Sequence, residues 1–168
     1  MSLRWILFVA AVPVGSLALT YAIGMMLPEH HIAKAEITVR SPPFEVAQLI
    51  RDIEGHPRWR SEVTEIKVVE RNATQVRYVE QSRDDTIAFQ FTEERPGTRF
   101  RNTIVEPNLP FSGYWVIQVN PWDGGTAISI EEHGSVTNPV FRFLSNFIFG
   151  HTSRMKEYLK DLKNAVDN

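Results

Sequence analysis

Residues 113–135 read GYWVIQVNPWDGGTAISIEEHGS, in which two runs of alternating side chains flank the turn sequence Asp123-Gly124-Gly125. Apolar residues take alternate positions in each run: Trp115, Ile117 and Val119 before the turn, and Ile128 and Ile130 after it. Side chains two residues apart share one face of a β-strand, and a Gly-containing turn between two such runs is typical of a hairpin. The pattern therefore predicts an antiparallel hairpin with an apolar face toward a core.

Five further runs of strand composition precede this hairpin. The predicted strands comprise residues 32–40, 63–71, 74–81, 86–93, 98–105, 113–120 and 126–135. Turn residues such as Asn72-Ala73 and Pro96-Gly97 separate the later runs, and the short connections imply antiparallel neighbours. The strands after the first are thus predicted to form a meander.

Two helices are predicted, one after the first strand and one at the C-terminal end. Ser41-Pro42-Pro43 ends the first strand and starts a short amphipathic helix. Its predicted apolar face comprises Phe44, Val46, Ala47, Ile50 and Ile53. Asn138-Pro139 opens a long helix that is predicted to continue to about Val166, with one apolar stripe. The order predicts an α+β fold in which a curved antiparallel sheet wraps around the long C-terminal helix.

Composition restricts the classes of function. Of 168 residues, 43% are hydrophobic and 23% charged, which is typical of a folded domain, and the net charge of -2 provides no basic field for nucleic acid. The absence of cysteine excludes disulfides, thiolate zinc sites and cysteine nucleophiles. No nucleophile-elbow, phosphate-binding or dinucleotide-binding motif occurs, and of the five histidines only His30 and His31 are adjacent. The sequence therefore predicts no catalytic residue, no metal site and no cofactor.

An uncharged run from Trp5 to Leu27 precedes the first strand. As a helix it would be about 34 Å long, enough to cross a hydrocarbon core of about 30 Å. We therefore predict a single transmembrane anchor over residues 5–27, with domain boundaries at 1–27 and 28–168. A cleaved signal peptide is the alternative, although this run exceeds the usual apolar core of about 7–15 residues. The flanking charges only slightly favour a cytoplasmic N-terminus with the domain outside.

Four short segments resemble a known superfamily. They are His56-Pro57-Arg58-Trp59-Arg60-Ser61, Leu109-Pro110-Phe111-Ser112-Gly113-Tyr114-Trp115, Gly124-Gly125-Thr126 and Asn138-Pro139-Val140-Phe141-Arg142-Phe143. Together they resemble the helix-grip (SRPBCC) superfamily, which includes START lipid-transfer domains, birch-pollen-allergen (Bet v 1)-like proteins and the polyketide cyclase/dehydrase group. The resemblance covers residues 32–166 and indicates a membrane-anchored member. It implies a cavity for an apolar ligand between sheet and helix, without specifying a reaction.

Side-chain parity predicts which residues line such a cavity. The predicted lining is Tyr78, Glu80, Phe89, Trp115, Ile117, Ile128, Ile130, Glu132, Phe147 and Met155. Glu80 and Glu132 stand out because a carboxylate in an apolar interior needs a donor, a cation or a proton. The candidate partners of these two carboxylates are Tyr78, Arg99, Arg101 and His133. Either carboxylate could orient a ligand or act as acid or base; alternatively, both lie near strand ends and reach water or an arginine.

Three hypotheses about function follow. The first is non-covalent binding or transport of a hydrophobic small molecule or lipid by a membrane-tethered domain of undetermined oligomeric state. The second is a cyclase/dehydrase-like enzyme that uses Glu80, Tyr78 or Glu132. The third is a tethered module that binds another protein through its outer surface. Aromatic residues early in the last helix, including Phe147 and Phe149, fit either a core or a membrane-facing cavity mouth.

Overall fold

The computed structural model describes residues 17–83, 85–149 and 152–167, with the backbone alone at residues 148 and 149. Helix α1 covers residues 17–26. Across the described ranges, no helix has both the length and the hydropathy that a bilayer span requires. Residues 5–16 of the predicted anchor lie outside the described residues, so the anchor stays a prediction.

Seven antiparallel strands form one sheet in the order β1-β7-β6-β5-β4-β3-β2. Their bounds are β1 His30–Val39, β2 Val63–Arg71, β3 Gln75–Ser82, β4 Thr86–Arg95, β5 Arg99–Ile104, β6 Phe111–Trp122 and β7 Gly125–Val136. All seven predicted strands are present, with ends that differ by up to two residues. Strands β2 to β7 form the predicted meander, and β1 pairs with β7.

The first helical region follows β1. Helix α2 covers Pro43–Arg51, and a 3₁₀ helix covers Ile53–Arg58. The predicted apolar face is correct at Val46, Ala47, Ile50 and Ile53, which are buried. Phe44 is 67% exposed, so its assignment to that face was wrong. It lies in the first turn of the helix, beyond the part that packs on the core.

The predicted C-terminal helix is divided in the structure. Helix α3 covers Pro139–Leu144, a π-helical turn covers Ser145–Phe149, and helix α4 covers Ser153–Asp167. The expectation of one uninterrupted helix was therefore wrong. Asn138 caps α3 by accepting hydrogen bonds from the backbone N–H groups of residues 140 and 141. Only α4 is the long helix that the sheet grips.

Helix α4 crosses the inner face of the sheet from the β3–β4 turn to the edge strand β1. At its start, Arg154 contacts Asp85 beside the β3–β4 turn at 3.3 Å. Near its end, the Lys163 ammonium donates to the Thr38 carbonyl of β1 at 3.1 Å. Between these points Met155, Leu159 and Leu162 are buried against the sheet. The apolar face of α4 thus packs on the inner face of the sheet, together with buried residues of α2.

The strand register confirms the predicted parity. Tyr78 lies opposite Phe89, Trp115 lies opposite Glu132, and Ile117 lies opposite Ile130. Inward residues of neighbouring strands therefore form continuous rows. The core contains most of these apolar residues, together with residues from α2 and α4.

Candidate functional site

Polar and aromatic side chains cross the inner face of the sheet beneath α4. We call His31, Arg60, Glu80, Trp115, Glu132 and Tyr158 the polar belt. The belt begins at β1, continues through β7 and β6, touches α4 and ends at β3. Each member contacts the next through a hydrogen bond, an ion pair or a ring contact. Polar groups of this kind inside an apolar interior make the belt the candidate site.

An ion pair between Arg60 and Glu80 forms one end of the belt. Nη1 donates to Oε2 at 2.5 Å and Nη2 donates to Oε1 at 3.0 Å. The two side chains are only 13% and 11% exposed. Burial opposes the charge on Arg60, but the Glu80 carboxylate outweighs that effect and raises the pKa of the guanidinium. The two-point geometry uses both carboxylate oxygens, so both charges are held in place.

His56 supports the guanidinium from the other side. Its Nε2 lies 3.1 Å from the Ile50 carbonyl oxygen, and its Nδ1 lies 3.5 Å from Nη1 of Arg60. A carbonyl only accepts hydrogen bonds, so Nε2 carries the proton and Nδ1 faces the arginine as an acceptor. Burial, reinforced by the charge of Arg60, lowers the pKa of His56 to about 3. His56 is therefore a neutral positioning residue.

Tyr78 occupies the buried position beside the ion pair. Its hydroxyl and the Asn102 amide are within hydrogen-bond distance, with Nδ2 2.9 Å and Oδ1 3.2 Å from the oxygen. Its ring stacks on Phe89 with centroids 5.6 Å apart. Burial, reinforced by the nearby Glu80, raises the pKa of Tyr78 well above its usual value. This phenol therefore stays protonated and cannot serve as a base near neutral pH.

Glu132 forms the other end of the belt and is held by two partners. The Trp115 indole N–H donates to Oε2 at 2.6 Å, and His31 Nε2 lies 2.8 Å from Oε1. His31 and Glu132 are 17% and 20% exposed at their side chains. Gly134 provides the space for the imidazole, because a Cβ there would lie 2.2 Å from Cε1 of His31. The carboxylate of Glu132 and the imidazole of His31 thus lie in contact on the inner face of the sheet.

One buried donor beside the belt lacks a partner in the described part of the chain. The indole nitrogen of Trp59 is buried and makes no hydrogen bond. The Trp59 ring meets Tyr158 edge-on at 5.1 Å, and Trp115 meets the same tyrosine at 5.9 Å. An unsatisfied buried donor costs about 1–3 kcal/mol, so this indole N–H is a candidate contact for a hydrogen-bond acceptor of a ligand.

The structure brings eight of the ten predicted lining residues to the inner face of the sheet, and a ninth, Met155, to the buried side of α4. Five are buried: Tyr78, Ile117, Ile128, Ile130 and Met155. Four are partly buried: Glu80, Phe89, Trp115 and Glu132. Phe147 is separate from them, since it lies in the π-helical turn and is 60% exposed. Whether the nine line a ligand cavity stays a prediction.

The partners of the two carboxylates differ from those expected. Arg99 and Arg101 pair with Glu94, and His133 pairs with Glu131. The arginines alternate with the buried Phe100, so strand parity directs them to the outer face. The expectation that they neutralise Glu80 or Glu132 was therefore wrong.

Sequence reasoning missed several residues of the site as partners. These are His31, His56, Arg60, Asn102 and Tyr158. Arg60 lies within the segment His56–Ser61 that carried the family resemblance, and that was the available signal. Trp59 packs on Tyr158 of α4, whereas Trp122 is 57% exposed.

Two surface depressions lie away from the predicted lining. A groove of about 670 Å³ runs along α2 and the end of α4. Its lining residues are Glu45, Gln48, Leu49, Arg51, Asp52, Arg71, Ala165 and Val166. A smaller depression of about 160 Å³ is lined by Ser61, Glu62, Ser82, Arg83, Arg154 and Glu157. Both are rich in charged side chains and carry no apolar ring, so neither suits an apolar ligand.

The fold and the belt define a helix-grip protein with polar groups set into an apolar interior. The chain belongs to the family described as "Polyketide cyclase / dehydrase and lipid transport", whose model matches residues 30–167. No curated protein matches the chain at a significant level.

Solved structures share the fold at low sequence identity. A protein from Thermus thermophilus is 23% identical with a TM-score of 0.64, covering 81% of this chain and 97% of its own. A START superfamily protein from Mycobacterium smegmatis is 14% identical, with a TM-score of 0.62 and coverage of 81% and 97%. An aromatase/cyclase from Streptomyces sp. R1128 is 10% identical, with a TM-score of 0.67 and coverage of 82% and 93%. At these identities the likeness establishes the fold alone.

Proposed function

We propose that this domain binds a hydrophobic small molecule or lipid non-covalently between the sheet and α4, with residues 5–27 tethering it to a membrane. The family description names lipid transport, which supports the class of ligand. The observation that carries the proposal is the buried, unpartnered indole N–H of Trp59 next to the polar belt.

Binding would rest on two contributions. Apolar rings around the belt, among them Phe89 and Trp115, would be removed from water together with the ligand, at roughly 25 cal/mol for each Å² of apolar area. An acceptor on the ligand would also satisfy the Trp59 N–H, which has no partner in the described structure. The first contribution provides affinity, and the second orients the ligand.

The test begins with the purified full chain. Organic extraction followed by mass spectrometry should recover one class of apolar compound, and the neutral carbonyl dye Nile red should bind with increased emission. In Trp59→Phe the aromatic ring remains but the donor is lost, so the dissociation constant should rise about tenfold. Trp122→Phe is the matched control, because Trp122 is exposed at the β6–β7 turn. Absence of both an extracted compound and dye binding would refute the proposal.

A cyclase/dehydrase-like enzyme is the second candidate, favoured by the contact between Glu132 and His31. A carboxylate that orients an imidazole is a common arrangement for acid–base chemistry. Glu80 is poorly suited to this role because it is committed to Arg60, and Tyr78 cannot be the base because it stays protonated. If the domain is an enzyme, Glu132→Gln should abolish turnover of a synthetic poly-β-ketone thioester while Nile red binding persists. Equal turnover by the variant would remove this candidate.

The tether is supported by the apolar surface of α1. Leu17, Leu19 and Met25 are all more than half exposed, and the uncharged sequence continues toward Trp5. α1 is also fitted closely to α3, because a Cβ at Gly24 would lie 1.9 Å from the Pro139 carbonyl oxygen. The full chain should stay with membranes after alkaline carbonate extraction. Release into the soluble fraction would overturn the tether without affecting ligand binding.

A further inference from the structure

We propose that the interior site selects apolar ligands with an uncharged polar group, such as an alcohol, ketone or amide, and discriminates against ionised carboxylates such as fatty-acid anions. The inference rests on the proposed ligand-binding function. It follows from how the charges and the unpaired donor are distributed along the polar belt.

The cation of the belt is already neutralised. Both terminal nitrogens of Arg60 contact Glu80, and Nη1 also faces Nδ1 of His56 at 3.5 Å. A ligand carboxylate would have to displace Glu80 from a two-point contact that is almost fully buried. The displaced carboxylate would then remain in the interior without a cation, which is costly. Arg60 is therefore a poor receptor for a second anion.

The rest of the belt adds negative charge. Glu132 lies on the same inner face and takes its hydrogen bonds from Trp115 and His31. A ligand carboxylate would thus enter an interior that already holds two carboxylates, one arginine and the imidazole of His31, which is already in contact with Glu132. Like charges at low dielectric repel strongly, so an anionic head group is disfavoured.

The available donor is instead uncharged. The Trp59 indole N–H can donate one hydrogen bond but cannot compensate a full negative charge. The neighbouring Tyr158 presents an aromatic face to Arg60, with the guanidinium carbon 5.3 Å from the ring centroid. Such surroundings match a carbonyl or hydroxyl oxygen on an apolar body. Selectivity for neutral ligands follows from this arrangement.

The experiment compares ligands that differ only in the head group. Oleyl alcohol, oleamide and oleate displace Nile red from the purified full chain at pH 8, where oleate is ionised and is kept below its micelle concentration. The alcohol and the amide should bind at least about tenfold more tightly than oleate. In Glu80→Gln the guanidinium of Arg60 loses its counter-charge, so the affinity for oleate should rise about tenfold or more relative to the affinity for oleyl alcohol.

A matched control and a second variant make the test specific. Glu93→Gln removes a carboxylate from another two-point contact, in which Arg51 donates at 3.0 Å and 2.5 Å on the exposed surface. This control should leave the ratio of the affinities for oleate and oleyl alcohol unchanged. If Glu80→Gln fails to fold, Glu132→Gln is the second variant, because it removes a charge and keeps an acceptor for Trp115. The affinity for oleate should again rise relative to the affinity for oleyl alcohol.

The outcomes separate this inference from the proposed function. Oleate binding the wild-type chain as tightly as oleyl alcohol would overturn the selectivity but preserve ligand binding. An unchanged ratio in a folded Glu80→Gln variant would overturn the role of the ion pair. Failure of all three compounds and of Nile red would refute the proposed function itself.

Discussion

Protonation of His56 is expected to destabilise the domain as the pH falls below neutral. Its imidazole is buried, donates from Nε2 to the Ile50 carbonyl, and presents an unprotonated Nδ1 to Arg60. A second proton would turn that acceptor into a donor facing a cation. The chain must therefore either hold an unfavourable charge or disrupt the contact that positions Arg60 against Glu80.

The magnitude follows from the two pKa values. His56 has a pKa of about 3 in the folded chain, against an ordinary value of 6.5. A lowered histidine pKa means that the unfolded chain binds the proton more readily, so stability falls as the pH decreases from 6.5 toward 3. Between pH 7 and pH 5 the expected loss is about 2 kcal/mol in the free energy of unfolding. Glu93 and Glu94, whose carboxyl pKa values are lowered by their arginine partners, add their own losses mainly below about pH 5.

The assay is urea unfolding of the full chain at pH 7, 6 and 5, followed by tryptophan fluorescence. His56→Gln keeps a side-chain N–H for the Ile50 carbonyl but does not titrate in this range. The variant should therefore lack the loss of about 2 kcal/mol seen in the wild-type chain. His30→Gln, at an exposed position of β1, should retain the wild-type dependence. A loss in His56→Gln equal to that in the wild type would refute the reasoning.

Four further substitutions, the last of them a control, test the packing. Gly24→Ala places a Cβ 1.9 Å from the Pro139 carbonyl oxygen, so α1 should separate from α3. The backbone amides of α1 should then exchange their hydrogens with solvent faster. Unchanged protection against hydrogen exchange would contradict this contact. Thr126→Val removes a buried hydroxyl that donates to a backbone carbonyl at 2.7 Å. The free energy of unfolding in urea should therefore fall by about 1–3 kcal/mol. A change within experimental error would contradict the role of this hydrogen bond. Leu162→Ala should lower the free energy of unfolding by about 2–5 kcal/mol, whereas the control Phe147→Ala should lower it by about 0.5 kcal/mol or less. Similar losses for the two variants would argue against the exposed position of Phe147.

The sheet could be predicted because its signal is local. Strand composition, turn residues and alternation with period two together identified all seven strands, and side-chain parity placed Tyr78, Ile117 and Ile130 on the inner face, where the structure has them. The C-terminal helix was less predictable. Apolar residues continue through its first half, so periodicity alone did not reveal the change from α3 to the π-helical turn and α4.

The site was predicted only in part. Parity placed Glu80 and Glu132 inward, because each follows an apolar residue by two positions in its strand. Their partners did not follow from any pattern. Arg60 comes from a segment without periodicity 20 residues before Glu80, and His31 comes from a strand 101 residues before Glu132. The unpaired Trp59 indole was likewise unforeseen, since it depends on how a turn packs against α4.

By itself, the sequence determined the strands, their inward faces and the two carboxylates set among apolar residues. These features depend on the geometry of single strands, in which neighbouring side chains point to opposite faces. Only the tertiary structure decided that Glu80 meets Arg60 and that Glu132 meets Trp115 and His31. Such contacts require the curvature of the sheet and the path of α4, which bring distant segments within hydrogen-bond distance. The polar belt is therefore a property of the folded chain, although each of its residues is already present in the sequence.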